Sequence, residues 1–301
     1  MSRGATGLAI ILFSNLKGGV AKTTNAVALA ECLADKGYRT LLIDADHQCM
    51  AGELLLGEPR MYACESKRVT LHDLLGSMLQ EEFAAEQFAN YVLPNASNIA
   101  GGLDNLAVVP CSIRIDDFST NMAKAKRGFH STEEWQRILD KRRSMLKRWL
   151  TTHFHYTIVD CPPSIPLQVR FLLSCADTFI VPSIPDRLSV RGSLYLLDRL
   201  RRMNMRIEGL GTLWTLYREQ NKNHKEVLTL TETRQAPYDR LPRPFSTIIP
   251  NSTAITGATE SEAQYPSFNA KYSGAFAKRY RDFAAEVVQR CRKQQYGSEP
   301  A

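Results

Sequence analysis

Short apolar runs alternate along the chain with longer stretches in which apolar side chains recur every three or four residues. Residues 8–14 form a run of aliphatic and aromatic side chains ending in a glycine-rich turn. Residues 22–36 follow with helical spacing, which offers Val27, Leu29, Ala30 and Leu33 to a core. A second short run, 39–43, ends at Asp44, and 106–110, 156–159, 178–181 and 209–216 read as further strands. Helical stretches lie between most of them, at 135–150, 167–175, 190–203 and 222–232. A last long helix is expected over 274–293, with Phe276, Tyr280, Phe283, Val287 and Val288 along one side. Strands this short and apolar are buried on both faces. Their alternation with helices predicts an α/β fold, a mostly parallel twisted sheet with helices on both faces. Two regions are less regular. Residues 58–102 are expected to hold one helix, 71–79, followed by polar connectors, and the Pro- and Arg-rich 234–250 reads as a loop leading into a short strand. With no repeat, low-complexity tail or convincing linker, one domain is expected over residues 1–301, its core about 8–292.

The chemistry is concentrated at strand ends, where open α/β sheets bind ligands. Directly after the first strand, and opening a helix, comes Lys17-Gly18-Gly19-Val20-Ala21-Lys22-Thr23-Thr24. Triphosphate oxygens need inward-pointing backbone N–H groups, glycines let the backbone approach them, and a helix N-terminus adds a favourable dipole. Lys22 would reach the β- and γ-phosphates, and the Thr23 hydroxyl would ligate Mg²⁺. The ordinary G-x-x-x-x-G-K-[ST] pattern is not met, because Leu16 and Ala21 stand at its glycine positions; a β-carbon at Ala21 would strain the turn if it needs a positive φ. Asp44 and Asp46 follow the second strand, where carboxylates can orient water. The run 156–159 ends at Asp160, which could hold Mg²⁺ through water, and Cys161-Pro162-Pro163-Ser164 would stiffen the loop after it.

These three elements, in this order, resemble the ParA/MinD-type deviant Walker A ATPases, and most closely the small, Soj-like ParA partition ATPases. The loop matches the family's K-G-G-x-x-K-[ST], the second element its D-x-D-P-Q with His47 in place of proline, and the third its D-C-P-P-S. The likeness extends more weakly over 176–182 and 207–216 and to Pro250-Asn251, which stand where the family borders the adenine. The resemblance implies a P-loop ATPase using ATP and Mg²⁺. In it Lys17 reaches the nucleotide of the opposite subunit, Asp46 positions the attacking water, and a homodimer closes over ATP. It also implies slow intrinsic hydrolysis, stimulated by a ParB-like or other cargo adaptor, and non-specific DNA binding through basic residues. With the first strand opening at residue 8, no helix-turn-helix extension and no operator binding are expected.

Charge sharpens the partner. Residues 1–184 carry 19 basic and 19 acidic side chains, whereas 185–301 carry 19 basic against 12 acidic, so the whole net charge of +7 lies in the second segment. Arg187, Arg191, Arg199, Arg201, Arg202 and Arg206 gather on and around one predicted helix; Lys271, Lys278, Arg279, Arg281, Arg290, Arg292 and Lys293 mark the last. Of these, Arg187, Arg191, Arg199, Arg202, Lys278 and Arg279 are the DNA-binding candidates, with a solvated face as the plain alternative. A MinD-like membrane switch is the rival reading, but the tail after Arg292 is too polar to insert. A metabolic or redox enzyme on the same fold is a third; the seven cysteines are scattered, without a CxxC pair, and offer no cluster site. No stretch reaches membrane-spanning length and 1–7 is short and polar, so a cytoplasmic protein is expected, nucleoid-associated when ATP-bound.

Overall fold

The structure, a computed structural model, describes residues 8–253, 255 and 263–296. The polar residues 1–7 and the end of the polar tail, 297–301, lie outside the described residues. Seven parallel strands form one sheet in the order β3-β2-β4-β1-β5-β6-β7: β1 (Ala9–Phe13), β2 (Thr40–Asp44), β3 (Leu106–Val109), β4 (Tyr156–Asp160), β5 (Thr178–Ser183), β6 (Glu208–Tyr217) and β7 (Ile248–Pro250). Six coincide with the runs expected from the sequence, and β7 with the short strand expected at the end of the Pro- and Arg-rich loop. Successive strand residues point to opposite faces. Ile10, Leu12, Leu41, Ile43 and Val159 therefore enter one core, and Ile11, Phe13, Leu42, Val108 and Ile158 the other.

The first core is covered by α4 (Leu71–Met78), α6 (Thr132–His153), α7 (Leu167–Leu173) and α8 (Arg187–Arg202). The second is covered by α1 (Lys22–Asp35), α2 (Met50–Leu56) and α10 (Phe268–Tyr296). Helices α3 (Glu58–Lys67), α5 (Phe118–Lys126) and α9 (Lys222–Glu232) complete the set used below. The region 58–102 is thus more helical than expected: in α3 six of ten residues are exposed and only Cys64 is buried, so it lacks the apolar period that reveals a helix. The last helix also begins earlier, at Phe268, with a break at Ser273 (φ 47°) just before the expected start. No helix among the described residues is long and apolar enough to cross a membrane.

Local chemistry explains the site-facing helices. Asp186 caps α8 by accepting the Ser189 N–H at 2.7 Å. Val190, Leu194, Leu197 and Leu200 then bury one side of α8, while Arg187, Arg191, Tyr195, Arg199 and Arg202 stay outside. Helix α1 is buried almost throughout, wedged between the sheet and α10, and it buries a charge, Glu31. That carboxylate accepts from Lys271 Nζ at 2.7 Å, Ser97 Oγ at 2.7 Å and Tyr272 OH at 2.6 Å; Lys271 also donates to Asn98 Oδ1 at 2.7 Å. Lys271 is therefore not part of the basic surface expected on the last helix. Lys271→Met leaves Glu31 buried without its cation and should cost about 3–5 kcal/mol of stability. Arg281→Met, at the partly exposed pair with Asp35, should cost less than about 1 kcal/mol. Urea unfolding midpoints test the contrast, and equal midpoints would refute it.

Candidate nucleotide site

Strand register sets the site. Asp160, the last residue of β4, lies between Phe13, the last of β1, and Asp44, the last of β2. The loop 17–21 leaving β1 and the two acidic elements therefore meet at one edge of the sheet, its carboxyl edge. Lys17, Gly18 and Gly19 are exposed, whereas Val20 and Lys22 are buried. Space over both glycines is open: a β-carbon at either would meet nothing within 4 Å. The N–H groups of Gly18, Gly19, Val20 and Ala21 donate to no described residue. Four unpaired donors in an open glycine cradle, followed by a helix N-terminus, make an anion site.

The loop is braced from behind by residues that the motif reading did not single out. Asn15 accepts the Lys17 N–H at 3.0 Å and donates to Pro182 O at 2.7 Å and Ser193 Oγ at 3.0 Å. Thr215 Oγ1 donates to Val20 O at 3.0 Å. Gly192 of α8 packs so closely that a β-carbon there would come within 3.0 Å of Lys17 Cβ. The one sequence signal for Asn15 was a polar side chain, after Ser14, just beyond a fully apolar strand.

Ala21 sits at the helix start with φ 56° and ψ 37°, in the left-handed region that favours glycine. The strain anticipated for this alanine is present. Ala21→Gly should therefore stabilise the protein by about 0.5–1 kcal/mol, the relief of strain exceeding the entropy gained by the unfolded chain, and raise the Tm by about 2 °C. A Tm that stays level or falls would exclude strain at this position.

Asp160 is fully buried, and neither carboxylate oxygen has a hydrogen bond of normal geometry. Burial pushes its pKa up to about 7, opposed by the nearby Thr23 hydroxyl and the Lys22 ammonium and assisted by Asp46. Burial likewise lowers the Lys22 pKa, while Asp160 and Asp46 hold it up. Lys22 Nζ donates to Lys17 O at 3.3 Å, across the base of the cradle. An orphaned buried carboxylate beside a threonine hydroxyl fits a hydrated divalent cation. Thr23 and Asp160 are the residues that would hold Mg²⁺, the hydroxyl directly and the carboxylate through water.

Asp44 and Asp46 have different tasks. Asp44 is fully buried, its pKa raised by burial first and by Asp160 second. It accepts the N–H of Asp46 at 3.1 Å and of Gly52 at 2.8 Å, tying the turn to α2. Asp46 is held by that turn; its Oδ1 accepts the Gln48 N–H at 3.1 Å, and His47, at the usual proline position, is half exposed with Nδ1 3.7 Å from the same oxygen. Pro250 and the adjoining Asn251 lie at the same sheet edge, where the Asn251 N–H donates to Tyr217 O at 2.9 Å. β7 is three strands from β1, about 14 Å at ordinary strand spacing. Thr24 follows Thr23 in the first turn of α1, half-buried.

The basic candidates are not brought together. Arg187, Arg191, Arg199 and Arg202 lie on α8, in the first layer, and Lys278 and Arg279 on α10, in the second. All six are exposed. Arg187 pairs with Glu226 at 3.0 Å and Arg279 donates to Ile248 O at 3.2 Å. Arg290, also expected on the basic surface, is spent inside: it donates to Leu210 O, Arg243 O and Pro244 O and lies 4.1 Å from the Phe245 ring centroid.

Comparison with known proteins agrees with this geometry. The model of an AAA domain family, AAA_31, matches residues 8–209. The chain is 27% identical to the chromosome partitioning protein ParA of Caulobacter vibrioides over 298 residues, covering 97% of this chain and 98% of that protein. A variant of Cyanothece McdA in complex with ATP superposes with a TM-score of 0.67 at 18% identity, over 95% of this chain and 98% of the other. Cobyrinic acid a,c-diamide synthase of Mycobacterium smegmatis, with an ATP analogue and magnesium, superposes with a TM-score of 0.65 at 22% identity, over 96% of each chain. At these identities the two structural likenesses establish the fold.

Proposed function

The chain belongs to the AAA domain family AAA_31 and is a ParA-type ATPase, and from that premise we propose that it is a positioning switch: it dimerises over Mg-ATP, binds DNA without sequence preference, and is released when a cargo adaptor stimulates slow hydrolysis. The observation that carries this reading is the division of labour between two lysines. Lys22 is buried at the base of its own cradle, within the field of Asp160, while Lys17, five residues earlier, is exposed at the cradle's rim and free to reach outward. A lysine presented to a second copy would put positive charge where negative charge develops on the transferred phosphoryl group.

In this reading a single domain, about residues 8–292, carries the switch. Lys17, Lys22 and Asp46 act in hydrolysis, the loop through Thr24 holds the phosphates, Pro250 and Asn251 border the base, and Thr23 and Asp160 hold Mg²⁺. Arg187, Arg191, Arg199, Arg202, Lys278 and Arg279 are the exposed cations available to DNA phosphates. Because they occupy two layers, one copy presents no single basic face, and a dimer would assemble one. The cargo would be DNA or a protein assembly carried over the nucleoid, in the cytoplasm. The test is retention on non-specific duplex DNA with a non-hydrolysable ATP analogue, ADP or no nucleotide, alongside the solution mass. Retention and a dimeric mass should appear with the ATP analogue alone, and retention should fall steeply with salt. A monomer at saturating analogue and Mg²⁺, or equal retention in all three states, would refute the switch.

A further inference from the structure

Next to the phosphate loop, a groove opens between α7 and the C-terminal half of α8. Leu16, Arg170, Tyr195, Arg199, Arg202 and Met203 line it. Its floor is apolar: Leu16 and Met203 are half-buried, and Tyr195 is 58% exposed. Its rim is cationic. Arg170, Arg199 and Arg202 are exposed and form no ion pair with any described residue. The carboxylate at the groove, Asp198, is already engaged by Arg201 at 3.8 Å and by Arg240.

Three uncompensated guanidinium groups around an exposed aromatic and aliphatic floor call for an occupant with both carboxylates and apolar side chains. A DNA backbone would satisfy the rim and leave the floor uncovered, because its phosphates carry no apolar anchor. We infer that this groove docks an acidic amphipathic segment of a protein partner, which assigns Arg199 and Arg202 to that partner in preference to DNA.

The groove is also mechanically joined to the nucleotide site. Leu16, on its floor, directly precedes Lys17. Asn15, one residue earlier, holds the Lys17 N–H and reaches Ser193 of α8, while Gly192 of α8 packs on Lys17. Phosphate binding that shifts Lys17 must move Leu16 against α8, so docking strength follows the nucleotide. This dependence rests on the switch proposed above; the docking site itself does not.

The experiment uses the full chain and a fluorescein-labelled synthetic helical peptide of Glu, Leu and Phe with its apolar residues on one face. A scrambled peptide of the same composition and a duplex oligonucleotide serve as comparison probes, each with and without a non-hydrolysable ATP analogue and Mg²⁺. The patterned peptide should bind at least about tenfold more tightly than the scrambled one. Arg199→Glu with Arg202→Glu should weaken the patterned peptide about 100-fold, and duplex should not displace that peptide from the parent protein. Tyr195→Ser with Met203→Ser should lower the patterned peptide to the scrambled level. Unchanged thermal unfolding and nucleotide affinity show that the variants are folded.

Equal affinity for the two peptides would overturn the docking site. So would loss of duplex binding in the arginine variant with displacement of the peptide by duplex, which would make this face a nucleic-acid site. Loss of ATP-driven dimerisation in either variant would overturn it too, making the face a contact between copies. Patterned binding that is indifferent to nucleotide supports the docking site and removes its link to the switch.

Discussion

Lys22→Ala should weaken Mg-ATP binding about 100-fold or more and abolish every ATP-dependent property with it, dimer formation and DNA retention included. The size follows from where the ammonium sits. It is buried at the base of the cradle, beside the fully buried Asp160, with its pKa lowered by burial and supported by that carboxylate. A buried cation paired with an anion is worth far more than one in water, and truncating one partner of such a pair typically costs about 2–5 kcal/mol, roughly 30- to 5,000-fold in affinity. The variant also loses the cation that offsets Asp160, so the Asp160 pKa should rise further above about 7. Lys17→Ala is the discriminating partner. Lys17 is exposed and forms no ion pair with any described residue, so its removal should leave the affinity of one copy within about threefold and still prevent dimerisation. Titration with a fluorescent ATP analogue, with mass measured in parallel, separates the two lysines. If Lys17→Ala and Lys22→Ala fail identically in nucleotide binding, the assignment of one lysine to each copy is wrong.

Asp46→Ala should keep ATP-driven dimerisation while lowering turnover about 100- to 10,000-fold, the usual range for loss of a residue that manages a proton or water in the transition state. The geometry favours a kinetic over a structural role. Asp46 is nearly buried at the carboxyl edge of the sheet, beside the cradle, but its carboxylate makes one backbone hydrogen bond, from the Gln48 N–H. Asp44 carries the structural burden instead, through its two backbone hydrogen bonds. Asp46→Asn keeps an acceptor for the Gln48 N–H, and it should match Asp46→Ala in turnover while unfolding like the parent. Phosphate release under single-turnover conditions checks the rate, and normal hydrolysis by either variant would reassign the water-positioning residue. By contrast Asp44→Ala leaves two buried N–H groups unpaired, and it should lose stability before it loses any chemical step.

Much of this was legible because it is local. The strands of the sheet are runs of three to ten residues whose burial, complete in the central ones, is written in their composition. Asp44 and Asp160 end their strands, Asp46 comes just after one and the phosphate loop shortly after another, so placing the strands placed the chemistry. What stayed hidden had no period or motif to reveal it. Helix α3 escaped because it buries one residue in ten and rests on the core through little more than Met61, too narrow a stripe to show a period.

The chain by itself determined a parallel α/β sheet, a cradle for phosphate at its first strand–helix junction and two acidic elements beside it, since each follows from neighbouring residues and the alternation of apolar runs. Only the tertiary structure decided which charges remain available. Lys271 is consumed by Glu31, 240 positions away, and Arg290 by the carbonyls of Leu210, Arg243 and Pro244. It also decided that Asn15 reaches Ser193 across 178 positions to brace the loop, and that the two basic helices stand on opposite layers. The reason is physical. Pairings at such separation depend on how two layers close on one sheet, and a buried charge or amide is satisfied by whatever group that closure delivers, which no local pattern records.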